Sequence, residues 1–155
     1  MKKTAFFVIG LFLLLGWTSC QSGKNDRSLL SRTFLPTGWE RFDFITKELE
    51  IKHPTTFNLS MVVSFDPSYS YDYLLVVFTV FDMEDHPLRA KSYQFGLKEQ
   101  DGGWKSELVD GYYTFTLPIN SEMGFPDPGV YKLQLESRMP ITPLLGIHSI
   151  SIISN

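Results

Sequence analysis

Apolar residues recur at every second position over much of this chain. Over residues 56–65, Phe57, Leu59, Met61, Val63 and Phe65 share one parity, while Asn58, Ser60 and Ser64 share the other, with Val62 the exception. A period of two sends the two sets to opposite faces of a sheet, so the segment predicts a half-buried strand. It stops at Asp66-Pro67-Ser68, a turn composition, and residues 71–82 resume as a run that is apolar on both parities, which predicts a central strand. Residues 83–87 read as a connection. Further strands are expected at 90–97, 104–108, 112–117, 130–137 and 147–153, and in the fourth of these Tyr131, Leu133 and Leu135 alternate with Lys132, Gln134 and Glu136. Trp39, Phe42 and Phe44 suggest an earlier strand, with Leu49 and Ile51 on the next. Asp101-Gly102-Gly103 and Asp110-Gly111 supply residues that tolerate positive φ in tight turns. No segment carries a helical stripe of useful length. About eight short strands between turn signals predict an all-β fold: a single antiparallel β-sandwich, immunoglobulin-like or jelly-roll-like, with a partly closed barrel as its rival.

The amino terminus follows a different pattern. Met1-Lys2-Lys3 is followed by an apolar stretch at residues 5–16, well short of the roughly 20 residues that span a bilayer. A positive start and a short apolar run form a secretory signal peptide, here residues 1–19. The single cysteine, Cys20, stands where that run ends, in Leu15-Gly16-Trp17-Thr18-Ser19-Cys20. A lone cysteine in an exported chain asks for a partner or a modification. The segment resembles the bacterial lipobox, although Trp17 stands where an aliphatic residue is common. The resemblance implies that Cys20 receives diacylglyceryl on sulfur and becomes the first residue of the mature chain. At about 0.8 kcal/mol per buried methylene, two or three acyl chains would hold such a protein at a membrane. Residues 20–37 then read as a flexible, lipid-anchored tether and 38–155 as the β-sandwich domain. The thirteen residues 21–33 are mostly polar and reach about 45 Å when extended. Gln21 after the cysteine resembles outer-membrane sorting, whereas Lys24-Asn25-Asp26 faintly resembles a surface-export tag, so the orientation stays open.

Composition limits the chemistry. A length of 155 residues suits one core, and 43% apolar, 15% aromatic and 20% charged residues describe a chain that folds. Loss of Lys2 and Lys3 with the signal moves the net charge from −3 to −5, unsuited to nucleic acid, whose phosphates need clustered cations. His53, His86 and His148 stand apart from one another, without the spacing of a zinc site. Asp82-Met83-Glu84-Asp85-His86 offers oxygen ligands for calcium, but it lacks the spacing of a calcium motif and reads more simply as a solvated hairpin turn. Neither a Gly-x-Ser-x-Gly elbow nor a phosphate loop is present. No catalytic, cofactor-binding or metal-binding residue is assigned, and Cys20 is the one candidate site. Tyr69, Tyr71 and Tyr73 share a parity, as do Tyr93 and Phe95. Such rows either stack on sugar rings or fill the core, and core packing is the simpler account.

Gly129-Val130-Tyr131, followed by Met139, Leu144, Gly146 and Ile147, resembles the gliding-motility lipoprotein family GldH of Bacteroidetes. Members tend to end in a Met-Arg pair, then Leu-Pro-Gly-Ile, then a final strand. Here the spacing from Met139 to Leu144-Leu145-Gly146-Ile147 is kept, with Pro140 in place of the arginine and Leu145 in place of the proline. Trp39, the Gly103-Trp104 pair and the lipobox also match the family's layout. The resemblance implies a non-catalytic envelope lipoprotein of the gliding or linked secretion apparatus, held in the outer membrane by acylated Cys20, with other envelope proteins as partners and no cofactor. The alternative is a carbohydrate- or ligand-binding surface module.

Overall fold

The segments of period two become strands whose apolar parity faces a shared interior. The computed structural model describes residues 28–155, so the expected signal peptide 1–19, Cys20 and residues 21–27 of the tether lie outside the described residues. Nine strands follow in order: β1 (Ser28–Thr33), β2 (Ile45–Ile51), β3 (Thr55–Phe65), β4 (Tyr73–Phe81), β5 (Pro87–Gly96), β6 (Leu108–Val109), β7 (Tyr112–Phe125), β8 (Gly129–Ser137) and β9 (Ile147–Ser154). They form a five-stranded sheet, β1-β9-β3-β7-β6, and a four-stranded sheet, β2-β8-β4-β5. Every pairing is antiparallel, the two sheets form a β-sandwich, and no helix occurs among the described residues.

Alternation sets what lies between the sheets. Leu59, Met61, Val63 and Phe65 of β3 meet Leu74, Val76, Phe78 and Val80 of β4 in one buried cluster, with Leu133 and Leu135 of β8 and Ile150 and Ile152 of β9. The opposite parity of β3 pairs with small polar residues, Ser64 with Thr114 and Ser149, and Val62 with Thr116 and Ser151, giving the outer face of the larger sheet. The long run at 71–82 becomes β4, which has a neighbour on both sides.

Four expectations change. Strand β1 lies inside the segment 20–37 read as a tether and pairs with β9 from Ser28↔Ile153 to Thr33↔Ser149. The sequence Ser-Leu-Leu-Ser-Arg-Thr buries fully only Leu30, so an edge strand there leaves little apolar pattern to read. The strand expected at Trp39, Phe42 and Phe44 is not formed. Phe42 has φ 65° and sits in a turn, and Trp39 makes only an isolated bridge to Leu144. The strand expected at 104–108 reduces to a bridge between Lys98 and Trp104 and to the two residues of β6. Strand β7 runs past its expected end at Leu117 and through Pro118. There β7 has β3 on one side and, among the described residues, no strand on the other, because β6 pairs only with Tyr112 and Tyr113, and a free edge accepts a residue without an N–H.

The acidic stretch at 82–86 is the β4–β5 turn. The Asp82 carboxylate accepts the amides of Glu84 and His86, both at 2.9 Å, and contacts the His86 ring at 3.2 Å. The backbone bond from His86, followed by the other contacts in the turn, holds the Asp82 carboxyl below its usual range. A carboxyl depressed in the fold adds stability above its unfolded pKa and loses it as pH falls through the folded value. Acid unfolding of Asp82→Asn, followed by circular dichroism below pH 4, is therefore expected to show a shallower pH dependence than wild type.

Candidate docking site

Sheet register gives the sandwich two ends. Thr33, Phe65 and Ile147 mark one, and Ser28, Phe125 and Ser154 mark the other. At the first end the connection 34–44 leaves β1 for β2, and the connection 138–146 leaves β8 for β9. Trp39 and Leu144 clasp the two connections by reciprocal backbone bonds of 3.0 and 2.9 Å. The indole of Trp39 is 1% exposed, lies against Phe34 and donates Nε1–H to the Asp43 carbonyl at 2.7 Å. Thr142 extends the clasp, its hydroxyl taking the Arg41 amide at 2.7 Å and bonding Glu40. Arg32 holds Asp43 in a two-pronged ion pair at 2.7 and 2.5 Å, tying β1 to the same connection.

Two glycines allow close approaches at this end, Gly38 within the clasp and Gly146 against the β3–β4 connection. A methyl group at Gly38, where φ is +87°, would lie 2.6 Å from the Leu144 carbonyl oxygen. At Gly146, where φ is +77°, it would lie 2.8 Å from the backbone N and Cα of Tyr69. Both positions need positive φ and the missing side chain together. The residues behind the family resemblance thus have structural roles: Trp39 and Leu144 close the clasp, Gly146 lies against the Tyr69 backbone, Met139 is buried with its sulfur 3.2 Å from the Leu75 amide, and Trp104 stacks on Tyr113 at 4.3 Å.

The clasped connections carry apolar side chains outward. Among the described residues nine large hydrophobics are exposed, and five of them, Leu35, Phe42, Phe44, Ile141 and Leu145, lie on these two connections. Phe42 is 74% exposed despite its left-handed backbone, an uncommon state for a bulky residue. Apolar side chains on loops break the rule that connections are polar, and that break was the sequence signal available for them. Beside them a cleft of about 490 Å³ is lined by Leu35, Pro36, Asp66, Ser68, Tyr112, Leu145 and His148 among others. The His148 ring stacks on Tyr112 at 3.9 Å. The Ser68 hydroxyl and amide, with help from His148, hold the Asp66 carboxyl below its usual range. No hydrogen bond joins His148 to Ser68 or Asp66 among the described residues.

The other candidates fall elsewhere. Cys20 lies outside the described residues. His53 is exposed at the far end of the sandwich, away from His148. Asp82, Glu84 and His86 bring one possible ligand atom each within 4.8 Å of one another, on an exposed turn whose hydrogen bonds already account for its shape. Tyr69 is buried, its phenol pushed up by burial and bonded to the Tyr73 carbonyl at 2.8 Å, so that row belongs to the core. Tyr93 and Phe95 stand parallel, 5.8 Å apart, half-buried on an edge strand.

A family model described as GldH lipoprotein matches residues 31–153. No curated protein matches the chain. Among solved structures, the VP2 subviral particle of infectious bursal disease virus is 12% identical, covering 82% of this chain and 29% of that one, with a TM-score of 0.31. A mutant VP2 of the same virus is 13% identical, covering 80% and 27%, with a TM-score of 0.32. The chain spans less than a third of those viral chains, and the likeness carries no argument.

Proposed function

Because the chain belongs to the GldH lipoprotein family, a lipid-anchored family of the cell envelope associated with gliding motility, we propose that it is a non-catalytic docking component of an outer-membrane assembly, of the gliding machinery or the secretion apparatus linked to it. Acylated Cys20 is the anchor. The observation that carries the docking role is the gathering of Leu35, Phe42, Phe44, Ile141 and Leu145 on two loops clasped by Trp39 and Leu144. Exposed apolar side chains held on a rigid base lose little freedom on binding, which is what a protein interface needs.

The position of the loops supports a protein partner over the anchoring membrane. Ser28, the first described residue after Cys20, stands at the opposite end, and the eight residues of β9 separate the two ends by roughly 27 Å. The steps from Cys20 to Ser28 reach at most about 29 Å, so inverting the domain onto its own leaflet would demand a nearly straight tether.

Native purification of the lipidated protein tests this role. A Phe42→Ser/Leu145→Ser variant is expected to lose defined envelope partners while staying folded and membrane-bound; retention of the same partners counts against the loops. Cys20→Ala is expected to leave the membrane fraction, and recovery there at the wild-type level counts against the anchor.

A second reading, a carbohydrate-binding module, is favoured by the cleft with its stacked Tyr112 and His148 beside the Asp66 carboxylate. Binding on a glycan array that Tyr112→Ala abolishes would select it.

A further inference from the structure

Strand β5 is the outer strand of the smaller sheet, and no described residue pairs with its free side. Its ten residues present about 33 Å of unpaired backbone. Register fixes which way its side chains face. Arg89, Lys91, Tyr93 and Phe95 lie opposite Val80, Phe78, Val76 and Leu74, all buried, so those four residues of β5 form the row on the interior side of the sheet. Two members of that row are cations at the open margin between β5 and β7. Arg89 reaches the Met123 sulfur at 3.3 Å, and the Lys91 ammonium lies over the Tyr93 ring at 5.1 Å.

Among the described residues neither cation meets a carboxylate, whereas Lys98 and Lys132 are paired with Asp72 and Asp85. Strand β5 contains no acid, on a chain whose net charge is −3. An uncompensated cationic margin on an acidic protein selects anionic partners, and an unpaired strand edge selects extended ones.

We propose that β5 is a second docking edge, which takes an extended acidic segment of a partner protein by strand addition. The segment becomes the fifth strand of the smaller sheet, and acids at every second position meet Arg89 and Lys91. A second copy of this chain fits less well, since β5 contains no acid to offer Arg89 and Lys91. Inward-pointing charges also guard edges against aggregation. A guarding role alone predicts that neither an acidic nor a basic segment adds to the edge.

Hydrogen exchange on the full lipidated chain in detergent separates these cases, with two eight-residue probes that alternate Glu with Val or Lys with Val. The Glu peptide is expected to slow alternate amides between residues 88 and 95 by about tenfold or more, a response set by binding to the native edge. Arg89→Glu/Lys91→Glu is expected to transfer that response to the Lys peptide, and the milder Arg89→Gln/Lys91→Gln to weaken it without changing the circular dichroism spectrum. Phe42→Ser/Leu145→Ser is expected to leave it intact, which keeps this edge separate from the clasped loops. No slowing by the Glu peptide, equal slowing by both peptides, slowing by dextran sulfate or anionic vesicles alone, or slowing that grows with protein concentration without peptide would each overturn the proposal.

Discussion

Trp39→Ala is expected to lower the melting temperature more than any single change to an exposed residue of this domain. The indole is 1% exposed, packs against Phe34 and donates its N–H to Asp43, while its backbone closes the bridge to Leu144. Truncating a buried tryptophan costs about 3–5 kcal/mol through lost transfer energy and the cavity left behind. For a domain of this size that corresponds to a fall of roughly 10–20 °C, measured by circular dichroism. Trp39→Phe separates the parts of that cost: the ring still fills the space, but the Asp43 carbonyl loses its donor, at about 1–2 kcal/mol. A fall of only a few degrees for Trp39→Ala would mean that the two connections are held elsewhere.

A second large effect is expected at Gly146. Gly111→Ala is its control, because φ is +86° there and +77° at Gly146, while a methyl at Gly111 meets nothing within 4 Å. Gly111→Ala thus carries only the left-handed backbone penalty, about 1–2 kcal/mol. Gly146→Ala adds a collision at 2.8 Å with the backbone of Tyr69, which cannot swing aside as a side-chain tip would. Overpacking of that kind costs about 1–3 kcal/mol more, so Gly146→Ala should unfold at a clearly lower denaturant midpoint than Gly111→Ala. Equal midpoints would remove close approach as the reason for glycine in the Leu144-Leu145-Gly146-Ile147 segment.

What the sequence displayed was burial. Strands β3, β4, β8 and β9 were readable because each presents a buried row, such as Leu59, Met61, Val63 and Phe65, that alternation makes visible. Strand β1 was hidden because an edge strand with one fully buried residue has no row to show, and the far half of β7 was hidden by Pro118, which reads as a stop unless the strand is known to lie at an edge. Trp39, Phe42 and Phe44 misled for a related reason. Their apolar character belongs partly to a core anchor and partly to an outward surface, and a single-strand reading assigns both to one face. The docking site was legible only in pieces. The resemblance drew on Trp39, Leu144 and Gly146, but their convergence across about a hundred residues of chain is a product of topology.

The same separation explains why the family's short motifs are not themselves a binding surface. Leu144 is fully buried and Gly146 half-buried, whereas Leu145 between them is exposed. The motif is a base that lifts Leu145 into solvent.

Photo-crosslinking in living cells tests that account most directly, with the lipidated chain carrying a benzophenone side chain at Phe42, at Leu145 or, for comparison, at Thr116 on the outer face of the larger sheet. The account predicts one discrete adduct with another envelope protein from Phe42 and Leu145 and none from Thr116. Adducts from all three positions alike, or lipid adducts alone at Phe42 and Leu145, would contradict it.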